Sequence, residues 1–179
     1  MNFKHKYLKE VVPEMKKCFG YKNNQAVPKI QKITVNIGIN RDMAEKDHRY
    51  VEIVAKTISG ITGQRPILNI AKKSIAGFKI RDSSTVGASV VLRSARMYDF
   101  LEKLINIALP RIRDFRGIAL KSVDERGNLS IGFKEQTVFP EINPEKMEKV
   151  HGLQVVISTT AKNKEEGTEL FKLFGIPFR

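Results

Sequence analysis

Eleven residues, AKKSIAGFKIR at positions 71–81, carry four cations and no carboxylate. Ammonium and guanidinium groups at that density suit one kind of chemistry, the neutralisation of a run of phosphates. Lys72, Lys73 and Lys79 act as point charges and Arg81 as a planar fork. Gly77 loosens the segment. A core-facing strand does not scatter lysines in this way, and a solvated helix face usually mixes in acids. The bias extends beyond the segment. Residues 53–98 hold Lys56, Arg65, Lys72, Lys73, Lys79, Arg81, Arg93 and Arg96 against the single acid Asp82, which is +7 of a whole-chain net charge of +13. Solubility does not require such exclusion of acids. A field this concentrated points to a polyanion, either nucleic acid or an anionic membrane surface.

Residues able to do covalent or metal chemistry are scattered by comparison. His5, His48 and His151 stand far apart, and none belongs to an H-E-x-x-H pattern. There is no dinucleotide glycine motif, no Walker loop and no G-x-S-x-G elbow. Asp99 and Glu102 are flanked by Arg96 and Lys103, the spacing of salt bridges on a helix. Cys18 is the one cysteine, so it forms no internal disulfide, lacks a metal-ligand partner nearby and fits a reducing cytosol. The expectation is a binding protein: not an enzyme, with no cofactor, no metal and no small-molecule substrate. The opening MNFKHKYLKE lacks the apolar core of a secretory signal, and no apolar run approaches the ~20 residues of a membrane helix. A soluble, cytoplasmic protein outside the membrane is expected. With no tryptophan and no RNA-recognition signature, a folded RNA read by shape, phosphates and 2′-hydroxyls fits better than loose single strands.

The elements that position these groups follow from periodicity. Phe3, Tyr7, Val11, Met15 and Phe19 recur every four residues, a helical stripe that Pro13 should kink or split. Residues 30–37 alternate, with Ile33, Val35 and Ile37 on one side and Lys32, Thr34 and Asn36 on the other. Asp42 with Glu45 reads as a capping box for a helix carrying Tyr50, Val54, Ile58 and Ile61, closed by Gly60 and Gly63. Residues 65–70 and 86–93 read as strands joined by the basic segment, a connection too long for a tight hairpin and expected to be a protruding, mobile loop. Ser94 can cap a helix that Pro110 stops. Strands recur at 129–134 and 153–160, and a last helix starts near Asn163 with Glu166 as its partner. The pattern is α+β: an antiparallel sheet of about five strands, helices packed on one face, an open polar face and a protruding basic loop. No linker or repeat is visible, so residues 1–179 read as a single RNA-binding domain.

Six stretches carry a resemblance: VPKIQKITVNIG, ITGQRP, AKKSIAGFKIR, ALPRIRDFRG, GNLSIGFKEQTVFPEI and the ending FGIPFR. Together, in order and nearly end to end, they resemble the bacterial family of large-subunit ribosomal protein five. The resemblance implies a ribonucleoprotein-like fold and a structural role in the large subunit: binding 5S rRNA and attaching it, with large-subunit rRNA, in the central protuberance. It also implies contact with P-site tRNA and a bridge to small-subunit ribosomal protein thirteen. By motif, the tRNA contacts fall on Lys72, Lys73, Ser74, Phe78, Lys79 and Arg81, with Phe78 either anchoring the loop base or stacking on a ribose. The rRNA contacts fall on Lys32, Thr34, Asn36, Gln64, Arg65, Ser89 and Arg93. The amides of Asn36 and Gln64 either meet RNA or hold turns through backbone bonds. Arg111, Arg113, Arg116, Glu135 and Glu141 fall on the bridge side, where a network with Asp114 accounts for the arginines equally well.

The chain departs from the family pattern after Gly38, where Ile39 and Asn40 follow, after Arg81, where DSSTVG replaces the usual glycine and proline, and at RSA, 93–95. Two other readings remain open at this stage. One is a free-standing RNA-binding regulator or chaperone of the same fold. The other is a peripheral membrane protein using its basic N-terminal helix.

Overall fold

The computed structural model describes residues 3–39, 49–78, 80–143 and 149–179. The capping pair Asp42 and Glu45 lies outside them. A five-stranded antiparallel sheet, β1 (Ile30–Gly38), β2 (Ile67–Ile70), β3 (Thr85–Leu92), β4 (Leu129–Phe133) and β5 (Leu153–Thr159), is ordered β2-β3-β1-β5-β4. With its helices this is the α+β architecture expected from the alternating patterns. By internal contacts the chain divides into two compact units, one of residues 1–34, 92–131 and 155–179, the other of residues 35–91 and 132–154.

In the first unit, α1 (Phe3–Lys6) runs through a widened π-type turn, Tyr7–Val11, into α2 (Val12–Phe19). Pro13 explains the turn. It has no N–H to give and its ring crowds the carbonyl four residues back, so the helix widens just upstream, where the Val12 N–H reaches Tyr7 O. Phe3, Tyr7, Val11 and Met15 are all buried, whereas Phe19 lies at the exposed end of the stripe. Phe3 and Tyr7 both stack on Phe174 of the last helix, with centroids 6.0 and 6.2 Å apart. The Tyr7 hydroxyl donates to Pro28 O at 3.1 Å.

Burial, and secondarily Tyr98, pushes the Tyr7 phenol up to about 12. Its unfolded value is about 10. The stability tied to the neutral phenol is present below pH ~10 and lost as pH rises through the folded value. About 2–3 kcal/mol should disappear across that window. Urea unfolding of the wild type against Tyr7→Phe should show it, with the variant flatter in pH.

Helix α4 (Ser94–Lys103) follows β3 and ends in a second π-type turn, Leu104–Ala108, just before Pro110. The expected Ser94 cap is absent. Arg93 occupies the cap position without a side-chain bond, and Ser94 is the first helical residue, with φ +53°. The last helix, α5 (Lys164–Phe174), does not form the expected box. Glu166 accepts from the Lys162 N–H at 2.9 Å, and the Asn163 side chain makes no cap.

In the second unit, α3 (Tyr50–Thr62) buries Tyr50, Val54, Ile58 and Ile61, and Gly63 ends it with φ +65°. Between β4 and β5 the chain makes an excursion whose described limbs are tied by Gln136. Gln136, 1% exposed, donates from Nε2 to Lys149 O and accepts the His151 N–H on Oε1, both at 2.7 Å. Gln136→Leu should strand both backbone groups in the interior and cost about 2–4 kcal/mol, read as a lower urea midpoint.

Candidate nucleic-acid interface

The basic segment sits in the second unit as a finger extending from β2 and β3. These strands pair antiparallel with Ile67 opposite Ser89 and Asn69 opposite Gly87, and the register shifts at Asn69/Ile70. The backbone ladder continues past the strand ends. Ala71 N–H donates to Ser84 O, Ser83 N–H to Ala71 O, and Ile75 and Ile80 exchange bonds of 2.9 and 3.1 Å. A single 3-10 turn, Ala76–Phe78, closes the tip. The expected loop is therefore a hydrogen-bonded extension of the hairpin. Sequence pattern missed this because the segment does not alternate.

The ladder fixes where the cations point. Lys72, Lys73 and Arg81 are exposed, and no ion pair engages them among the described residues. Lys79 and the side chain of Phe78 lie outside the described residues. The one acid nearby, Asp82, accepts the Ser83 N–H on its carboxylate at 2.9 Å. Ser74 Oγ accepts the Asp82 N–H at 2.9 Å, which leaves its own O–H free to donate outward.

Behind the finger lies a polar sheet face. On β3, Ala88, Val90 and Leu92 are buried, so Gly87, Ser89 and Val91 look the other way. The cross-strand register puts Ile67, 70% exposed, beside Ser89. Ser89 Oγ lies 3.3 Å from Asn69 Oδ1 and donates to it. Asn69, a polar residue of the strand expected at 65–70, completes this polar row opposite Gly87. Asn36 lies half-buried on β1 and makes no hydrogen bond with its side chain among the described residues. Gln64 Nε2 reaches Val91 O at 3.4 Å, a long bond that ties the turn after α3 to β3. Of the two amides, Gln64 serves a backbone group and Asn36 stands open. Arg65 is exposed.

The remaining expected contacts fall in the first unit. Lys32 and Thr34 are half-buried on the first half of β1, opposite in direction to the fully buried Ile33, and Arg93 is exposed. The bridge candidates divide between the units. Arg111, Arg113 and Arg116 lie exposed in the first. The Arg113 Nε–Asp114 Oδ2 approach is 4.0 Å between side chains 98% and 88% exposed, too solvated to count as a stabilising network. Glu135 and Glu141 lie exposed in the second unit, with Glu135 accepting from Thr137 Oγ1 at 3.1 Å.

Among the described residues no group of three His, Cys, Asp or Glu could hold a metal, and no helix is long and apolar enough to cross a membrane. What the finger and face offer is cations, hydroxyls and an amide, which is hardware for ribose and phosphate.

Comparison with known proteins agrees with that chemistry. Residues 23–81 match the model of the family described as ribosomal protein L5, and residues 85–178 match the model of that ribosomal family's C-terminus. The chain belongs to the ribosomal protein L5 family. The large ribosomal subunit protein uL5 of Dictyoglomus thermophilum is 53% identical over 176 residues, 98% of this chain and 97% of the relative. That of Carboxydothermus hydrogenoformans is 50% identical over 175 residues, 98% and 97% of the two chains. The boundary between the two L5 family matches falls within the finger hairpin, between residues 81 and 85.

Proposed function

We propose that this L5 family member is a structural, non-enzymatic protein of the large ribosomal subunit, acting in the cytoplasm as one RNA-binding module. It binds 5S rRNA and anchors it with large-subunit rRNA in the central protuberance. Lys32, Thr34, Asn36, Arg65, Ser89 and Arg93 meet the RNA, and Gln64 acts by holding the turn that presents Arg65. The finger, through Lys72, Lys73, Ser74, Phe78, Lys79 and Arg81, meets P-site tRNA. Arg111, Arg113 and Arg116, with Glu135 and Glu141, face small-subunit ribosomal protein thirteen.

The observation that carries the reading is a stiffened finger whose described cations point to solvent with no acid of the protein paired to them. A free protein gains nothing from holding such like charges together, so an external polyanion is the natural counterpart. The experiment is the triple variant Lys72→Ala, Lys73→Ala, Lys79→Ala assembled into ribosomes. P-site tRNA retention should fall by about tenfold or more, while the protein's affinity for 5S rRNA changes by less than about threefold. Equal loss of both would refute the division between finger and sheet.

A further inference from the structure

The excursion between β4 and β5 encloses an imidazole that the RNA reading does not use. His151 is 6% exposed, yet neither Nδ1 nor Nε2 has a hydrogen-bond partner. A neutral imidazole always carries one donor and one acceptor nitrogen, so both are stranded here. The Tyr50 ring of α3 faces it at 6.5 Å between centroids. Lys149 Nζ lies 5.3 Å from the centre of the same Tyr50 ring. Among the described residues, Tyr50 from α3 is the titratable group whose ring faces the imidazole, and Lys149, from the same limb as His151, sits over that ring. Glu135 and Glu141, on the opposite limb, are exposed. Phe133 at the end of β4 and Phe139 add only apolar surface, their rings 5.6 Å apart.

The limbs are not part of the sheet ladder. β4 stops at Phe133 and β5 starts at Leu153, and Gln136 ties the two limbs through its hydrogen bonds to Lys149 O and the His151 N–H. An imidazolium at this position would bring two N–H donors with no acceptor among the described residues. Opening the limbs would hydrate it without breaking a strand.

We propose that His151 is a proton-operated latch, closed on α3 while its imidazole is neutral and released when the imidazole is protonated. This inference does not depend on the RNA reading. Burial lowers the His151 pKa below its ordinary value, the direction the latch requires. The sign follows. Closure is fully favoured above the ordinary histidine range near 6.5 and weakens as pH falls toward the lowered folded value.

The test is hydrogen exchange by mass spectrometry on the isolated full chain between pH 5 and 8, with protection corrected for intrinsic exchange. Protection in 137–143 and 149–151 should fall toward acid with a slope approaching tenfold per pH unit, one proton per opening. Peptides from β1 should not follow. His151→Phe keeps a ring and removes the proton site, so its protection should be flat in pH. A pH-independent wild type, or an equal slope in His151→Phe, which would assign the effect to the glutamates, overturns the proposal. Should the variant fail to fold, NMR titration of the wild-type imidazole decides. A His151 signal titrating below the ordinary histidine range supports the latch, and one at or above that range ends it.

Discussion

Between 50 and 200 mM salt, the affinity of the isolated protein for 5S rRNA should fall by about a thousandfold. The number follows from counterion release. Each phosphate neutralised by a lysine or arginine frees condensed cations, and about six such contacts give a steep log–log slope. Net charge alone does not produce this slope; it requires cations exposed and unpaired in the free protein. Lys32, Arg65 and Arg93 supply three of these contacts, and among the described residues no ion pair with a protein carboxylate must first be broken to free them. Fluorescence anisotropy with labelled RNA at four salt concentrations measures it. A nearly flat dependence would mean that apolar or base-edge contacts lead the docking.

The second large effect is in the scaffold. Gly127, with φ +71°, lies against Gly167 of α5 so closely that a Cβ on Gly167 would overlap the Gly127 backbone. The loop entering β4 can cross this helix only with a bare backbone at both positions. Gly167→Ala should therefore cost about 2–3 kcal/mol, a fall of roughly 5–10 °C in Tm. Gly77 at the finger tip is the contrast. It has no left-handed φ and nothing within 4 Å of the place a methyl group would take, so Gly77→Ala should be neutral or slightly stabilising. Calorimetry on both variants checks the pair. A Gly167→Ala protein as stable as wild type would show that the crossing can relax.

Much of this architecture is legible in the sequence, for physical reasons that differ by element. β1 and β3 read cleanly because one face is buried, so their aliphatic residues alternate with Lys32, Thr34, Asn36 and Ser89. The helix stripes read for the same reason. The finger's ladder does not, because its backbone bonds form without a buried side-chain face, and only burial writes a period into sequence. Two caps depart from their sequence signatures. Ser94 is drawn into φ +53° at the start of α4, and the Glu166 carboxylate bonds Lys162, one residue upstream of the box geometry. At the site, residue types located the cations, but only the structure separates Asn36, whose amide is open, from Gln64, which is held to Val91 O. The Gln136 clamp and the stranded imidazole of His151 depend on distant backbone meeting across the excursion, and no local pattern encodes that.

The most direct measurement is a lysine-acetylation footprint of the protein alone, bound to 5S rRNA, and within ribosomes carrying P-site tRNA. The account predicts that 5S rRNA shields Lys32 and leaves Lys72 and Lys73 reactive, and that P-site tRNA then shields those two. Lys32 remaining reactive under saturating 5S rRNA, with protection appearing instead on Lys162, Lys164 and Lys172 around α5, would contradict it.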